Sequence, residues 1–167
     1  MLKPDLSNHF QVDHAERLRL TFHALTGRHL LDPSLSPLAA AKALFHAPFV
    51  VLSHDAAPDP ILTYGNQAAL DLFALSWEEL TRMPSRLTAE APDRAERTRL
   101  LDQVRTRGFI DDYAGVRIAS TGQRFRIQGA TVWNLTDSKG QRVGQAATFR
   151  HWHLIEGSCP GARAKNL

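Results

Sequence analysis

The sequence predicts an α+β domain: a five-stranded antiparallel sheet with short helices on one face, preceded by amphipathic N-terminal helices. Three observations predict it. The first third carries apolar residues at helical spacing. The last third alternates between turn signals at strand period. Between them, short apolar runs and helix-start signals follow one another closely. The 167 residues are 43% apolar and 22% charged, an ordinary balance for one globular domain.

From His9 to Leu31, Phe10, Ala15, Leu18, Phe22, Leu25 and Leu30 recur at steps near three and four, and Gly27 supplies a stop. Pro33, Ser34, Ser36 and Pro37 break the chain before a second, alanine-rich helix over Leu38 to Leu44. The period then changes. Phe49-Val50-Val51-Leu52 and Ile61-Leu62-Thr63-Tyr64 read as strands joined by a turn-rich loop. Asn66 can cap a short helix through Phe73. Ser76-Trp77-Glu78-Glu79 fits a capping box, with Leu75 and Leu80 as a hydrophobic staple. Pro92 at a first-turn position and Gly108 as a stop bracket a longer helix, whose thin apolar face (Ala95, Leu100, Leu101, Val104) predicts a surface position.

From Phe109 to Trp152 the pattern predicts a meander with turns at Ser120-Thr121-Gly122-Gln123 and Asp137-Ser138-Lys139-Gly140. A two-residue Thr121-Gly122 turn would set Ile118 against Phe125, Arg117 against Arg126 and Val116 against Ile127. In that register Val116, Ile118, Phe125, Ile127, Thr131, Trp133 and Leu135 share one face. Tyr113, Arg117, Arg126 and Gln128 share the other. The predicted divisions are a helical cover over 1–47, a sheet-bearing body over 48–152, and a loose tail over 153–167.

This order of elements, with Asn66 opening the helix after the second strand and Leu75-Ser76-Trp77-Glu78-Glu79-Leu80 after it, resembles the PAS fold. More narrowly, Ile61 to Phe73, Met83-Pro84-Ser85-Arg86-Leu87-Thr88-Ala89-Glu90, and Arg124-Phe125-Arg126-Ile127 through Ala130-Thr131-Val132-Trp133-Asn134-Leu135 are similar to the MEKHLA domain family. That family is a PAS-like module found alone in bacteria and at the end of plant homeodomain–leucine-zipper regulators. The resemblance spans roughly residues 10–152. It implies a fold and a sensory class, since the family carries no settled chemistry. PAS-like domains with covalent flavin carry a cysteine on the helix before the third strand, and haem-binding ones a histidine. Residues 91–107 contain neither, so the resemblance disfavours covalent flavin and haem and leaves the cofactor open, non-covalent flavin included.

Composition narrows the partners. The net charge of +3 divides into −4 over 1–81, +3 over 82–107, balance over 108–138 and +4 over 139–167. Acids interleave with the arginines of the helix, whereas phosphate tracking wants an uninterrupted basic stripe, so nucleic acid is not the expected partner. No window is apolar enough to span a membrane, and the expected compartment is the cytoplasm. The lone Cys159 excludes a disulfide scaffold. His151-x-His153 is a spacing zinc can use, but no third ligand is placed, and the eight histidines read as surface groups, with no metal site. Ser53-His54-Asp55 is a run of neighbours and no triad. Asp111 and Asp112 are adjacent on a strand, point to opposite faces and cannot form a dyad, so no catalytic residue is assigned.

The predicted ligand-binding residues are Asn66, Trp77, Arg86, Thr88, Phe125, Thr131 and Trp133. Arg86 can clamp a carboxylate with Thr88 adding a hydroxyl, or it can pair with Glu90 or Glu79 as a structural tie. Asn66 can contact ligand or only cap, and Trp77 and Trp133 can wall a pocket or simply fill the core. Two functions follow. One is a non-catalytic small-molecule sensor with an internal pocket for an anionic or aromatic ligand. The other is an interaction module using the N-terminal helix, which must bury its stripe on the sheet or against a second copy. A homodimer is expected by analogy with PAS-like modules. An enzyme is the least favoured class.

Overall fold

Side chains that take up free amides fix where the helices begin. In the computed structural model, which describes residues 1–89 and 94–156, Ser36 accepts from Ala39 N ahead of α2 (Pro37–Phe45). Asn66 does the same for Ala69 N ahead of α3 (Gln67–Phe73). Ser76 and Glu79 close the expected capping box of α4 (Trp77–Leu80). The first helix begins later than its periodicity suggests. A 3-10 segment over Leu6–Gln11, capped by Asp5, leads into α1 (Val12–Thr26), and His9, Phe10 and Gln11 all have positive φ. Gly27 ends α1 at φ 72° and Gly108 ends α5 (Arg94–Arg107) at φ 94°, left-handed positions that suit glycine. Pro92 lies outside the described residues.

The sheet is antiparallel throughout. Its strands are β1 (Val50–Asp55), β2 (Leu62–Gly65), β3 (Phe109–Ile118), β4 (Arg124–Thr136), β5 (Arg142–Phe149) and β6 (His151–Leu154). The order is β2-β1-β5-β4-β3, with β6 also on β4. The sixth strand exists because β4 is long. Its second half pairs with β5 and its first half with β6. Between them Gly129 adopts φ 61° and interrupts the ladder. His153 and Leu154, expected in the tail, therefore pair with Arg126 and Phe125. The remainder of that tail from 157, with Cys159, lies outside the described residues.

The β3–β4 register differs from expectation by one residue: Ile118 opposes Arg124, Arg117 opposes Phe125 and Val116 opposes Arg126. The turn is the reason. Ala119 N donates to Gln123 O at 2.9 Å and Gly122 N to Ala119 O at 2.9 Å. With Gly122 at φ 87° this closes a three-residue loop with a left-handed glycine, not a two-residue turn. A one-residue slip exchanges the faces of one strand relative to the other. Arg117 thereby joins Phe125 on the inner face, and Val116 joins Arg126 on the outer.

Gly129 adds a second exchange. Phe125 and Ile127 point inward before it, and Ala130 and Val132 point inward after it. Thr131, Trp133 and Leu135 consequently lie on the outer face. There α1 covers them: Phe22 meets Trp133 edge to face at 5.0 Å, and Trp133 Nε1 donates to Thr21 Oγ1 at 3.0 Å. The stripe of α1, with Ala15, Leu18 and Phe22 buried, is thus satisfied by its own sheet. The inner face is closed by α3, the 3-10 turn Ser85–Thr88 and α5, and it carries the cavity.

Candidate functional site

Between the inner sheet face and α5 lies a cavity of about 80 Å³. It is open to solvent through a mouth. Leu52, Leu62, Phe73, Leu101, Ile127 and Val132 make most of its wall. The informative lining groups are polar: His54 from β1, Gln145 from β5, Tyr113 and Arg117 from β3, Arg97 from α5, and Ser85 with Thr88 from the 3-10 turn.

His54 and Gln145 are direct cross-strand partners on β1 and β5, so their side chains stand side by side. His54 Nδ1 lies 2.7 Å from the carbonyl oxygen of Asp55, an acceptor, which assigns the proton to Nδ1 and leaves Nε2 a lone pair. Gln145 Nε2 donates to Leu101 O and to Asn134 Oδ1, both at 3.1 Å. Asn134 in turn donates through Nδ2 to Val104 O at 3.0 Å, which orients both amides. His54 Nε2 and Gln145 Oε1 are both buried and accept no hydrogen bond. Burial pushes the His54 imidazole down to about 4, against the opposing pull of the Asp55 carbonyl and with further lowering by Arg97 and Arg142.

Two cations also line the cavity. Arg97 donates through Nη2 to Ser85 Oγ at 3.0 Å. Arg117 donates to its neighbour Val116 O at 2.8 Å and to the Tyr113 hydroxyl at 2.9 Å, with its guanidinium 5.3 Å from the centre of that ring. Gly115 permits this contact, because a Cβ there would stand 2.6 Å from the Tyr113 oxygen. Among the described residues no carboxylate pairs with Arg97 or Arg117. Burial, then the charge of Arg117, lowers Arg97 to about 10, which leaves it charged at neutral pH.

Of the residues expected at a ligand, the structure brings Thr88 to the cavity, where its hydroxyl donates to Ser85 O at 2.8 Å. Phe125 stands one layer back, edge to face with Phe73 at 5.1 Å. The other five lie elsewhere. Arg86 is exposed and forks onto Asp59 (Nε–Oδ1 3.1 Å, Nη2–Oδ2 3.3 Å), a tie to the β1–β2 loop and to neither glutamate considered. Asn66 is spent structurally: Oδ1 accepts from Val51 N and Ala69 N, and Nδ2 donates to Phe49 O and Leu44 O. Trp77 packs against Tyr64 and donates through Nε1 to Met1 O at 2.8 Å. Thr131 and Trp133 are on the outer face, Thr131 donating to Asp111 Oδ1 at 2.6 Å beside Arg28. The Thr131 hydroxyl, followed by Arg28, holds Asp111 below the usual carboxylate range.

Sequence reasoning did not place His54, Arg97, Tyr113, Arg117 and Gln145 at the cavity. A signal existed for the β3 pair alone: the Ser120-Thr121-Gly122 spacing also fits a three-residue loop, which turns Tyr113 and Arg117 inward.

An antiparallel sheet in this order, helices on one face and a cavity between them define a domain of the PAS class. Solved structures agree. The PAS domain of a Colwellia psychrerythraea protein is 17% identical with a TM-score of 0.58, covering 69% of this chain and 92% of that one. A light-oxygen-voltage domain studied with a flavin analogue is 18% identical (TM-score 0.55, 70% and 84% covered). A fungal light-oxygen-voltage photoreceptor domain is 14% identical (TM-score 0.55, 83% and 88% covered). Within this class the chain belongs to the MEKHLA domain family, which it matches over residues 12–154. Comparison with curated proteins finds no match.

The residues present do not fit a covalently held flavin: no cysteine lines the cavity or stands on α5. The 80 Å³ inside the mouth is about half the ~150 Å³ that takes a single benzene ring.

Proposed function

We propose that this chain is a non-catalytic sensory module that binds a small molecule in the cavity between its sheet and α5. The observation that carries the reading is the pair of guanidiniums, Arg97 and Arg117, turned into an apolar cavity without a carboxylate partner among the described residues. Both are half-buried, and a cation held against an apolar lining without a counter-charge is favoured by an anionic guest. A few polar groups in an apolar lining is also the usual make-up of a small-molecule site.

Signal output runs through β4. Val132 faces the cavity, while its neighbours Thr131 and Trp133 hold Arg28 and α1 on the other side. A ligand with different affinity for two positions of β4 would shift the population of two positions of α1. The test is a thermal-shift screen of the full chain against small carboxylic acids, neutral diols and aromatics. Stabilisation by at least one class is expected; none by any class contradicts the reading.

The second reading is a self-association module. It is favoured by Leu20 on α1 and Leu6 in the leading turn, which remain 64% and 74% exposed. Sedimentation at micromolar concentration decides it: a dimer lost on Leu20→Glu supports this role, and a monomer ends it. No helix among the described residues is long and apolar enough to cross a membrane.

A further inference from the structure

Two kinds of polar group line the cavity, and together they specify more than an anion. The guanidiniums of Arg97 and Arg117 are donors, with the Tyr113 hydroxyl, which accepts from Arg117, beside them. Planar guanidiniums match the two oxygens of a carboxylate. The lining residues His54 and Gln145, adjacent across the β1–β5 pair, add two acceptors, Nε2 and Oε1, each fixed as an acceptor by the partner of the other ring nitrogen or of the amide nitrogen. Both atoms are buried and unsatisfied, and the residues are 7% and 1% exposed. Unsatisfied buried acceptors are rare in native proteins and call for a donor.

A carboxylate alone would leave the acceptors empty, and a neutral diol would leave the cations unpaired. An ammonium group suits the acceptors but would stand near Arg97, whose charge already acts on His54. A neutral hydroxyl meets both demands. The 80 Å³ inside the mouth suits a guest of a few non-hydrogen atoms, by comparison with the ~150 Å³ that holds benzene.

From this arrangement we propose that the cavity binds a short hydroxycarboxylic acid, its carboxylate on Arg97 and Arg117 and its hydroxyl donated to His54 Nε2 and Gln145 Oε1. The proposal rests on the small-molecule reading above and names the ligand class of that same site.

Calorimetric titration of the full chain with glycolate, acetate, ethylene glycol and inorganic phosphate tests it, with the fold of each variant checked by circular dichroism. Glycolate is expected to bind at least tenfold more tightly than acetate, and ethylene glycol and phosphate not measurably. Arg117→Gln and Arg97→Gln should each weaken glycolate at least tenfold. His54→Phe should bring glycolate down to the level of acetate while leaving acetate nearly unchanged. Acetate or phosphate matching glycolate, or either arginine variant binding like wild type, overturns the proposal. Should an arginine variant unfold, the glycolate-to-acetate ratio of wild type and of His54→Phe decides alone. Binding of ethylene glycol without any acid would overturn this ligand class and leave the sensory reading standing. Silence from all four probes would overturn the ligand class, and the sensory reading falls with it only if the wider thermal-shift screen is silent too.

Discussion

Acidification should destabilise this domain well before its carboxylates protonate, because two histidines are buried in the neutral form. His14 sits on α1 with Nε2 2.9 Å from Ser53 Oγ, and His54 lines the cavity. Burial pushes each from the ordinary 6.5 down to about 4, with Arg17 adding to the effect at His14. A depressed histidine binds its proton more readily in the unfolded chain, so stability is full above pH 6.5 and falls as the pH drops towards 4. At ~1.4 kcal/mol per pH unit, each histidine removes roughly 2 kcal/mol by pH 5 and roughly 3 kcal/mol below pH 4. The pair therefore costs about 4 kcal/mol between pH 7 and pH 5, a large part of the ~5–15 kcal/mol stability of a typical domain. Asp5, Asp32 and Asp111, all held below the usual carboxylate value, lose their contribution only at still lower pH. The upper window is thus the histidines' own. Urea unfolding followed by tryptophan fluorescence at half-unit pH steps measures the slope, and His14→Gln should remove about half of it. A stability that stays flat from pH 7 to pH 5, or an NMR titration of His14 near its ordinary value, would refute the reasoning.

Three further outcomes follow from the packing. Trp133→Ala should cost about 3–5 kcal/mol in urea unfolding, since the ring is wholly buried under α1 and its N–H is paired with Thr21; a cost under ~1 kcal/mol would mean that α1 is not seated there. Asn66→Ala should lower stability by about 2 kcal/mol or more through four lost hydrogen bonds, whereas Arg86→Ala should change it by less than ~1 kcal/mol because its Asp59 pair is solvated. Loss of ligand affinity in a folded Arg86→Ala protein would return that residue to the site. Ala74→Gly should raise the Tm, with a gain of up to about 1 kcal/mol, because Ala74 closes α3 at φ 54° where a Cβ is strained; an unchanged or lower Tm would contradict this.

Helix starts were legible in the sequence because capping is local: Ser76 and Glu79 are three residues apart, and nothing distant can move their bond. Strand positions were legible for the same reason. The faces of the sheet were not. They depend on one loop residue and one bulge, and Gly122 and Gly129 each shift the alternation by a single position. That alternation alone decides whether Trp133 or Val132 sees the cavity, and whether Arg117 faces solvent or the cavity. The position of Arg86 away from the cavity has another cause. Its partner Asp59 lies 27 residues away across the β1–β2 loop, a contact no local pattern encodes. The His54–Gln145 pairing spans 91 positions and follows only from the β1–β5 register.

The most direct test of a ligand-sensing cavity on the inner face is methyl NMR of the full chain during titration with glycolate. Leu52, Ile127 and Val132 report on the cavity, and Leu18, Val51 and Leu135 on the opposite side of the sheet. The expected result is early, saturable shifts at the cavity methyls, with smaller changes following at Leu18 on α1. Shifts confined to the outer set would contradict a binding cavity on the inner face, and none in either set while the protein remains folded would contradict hydroxycarboxylate binding there.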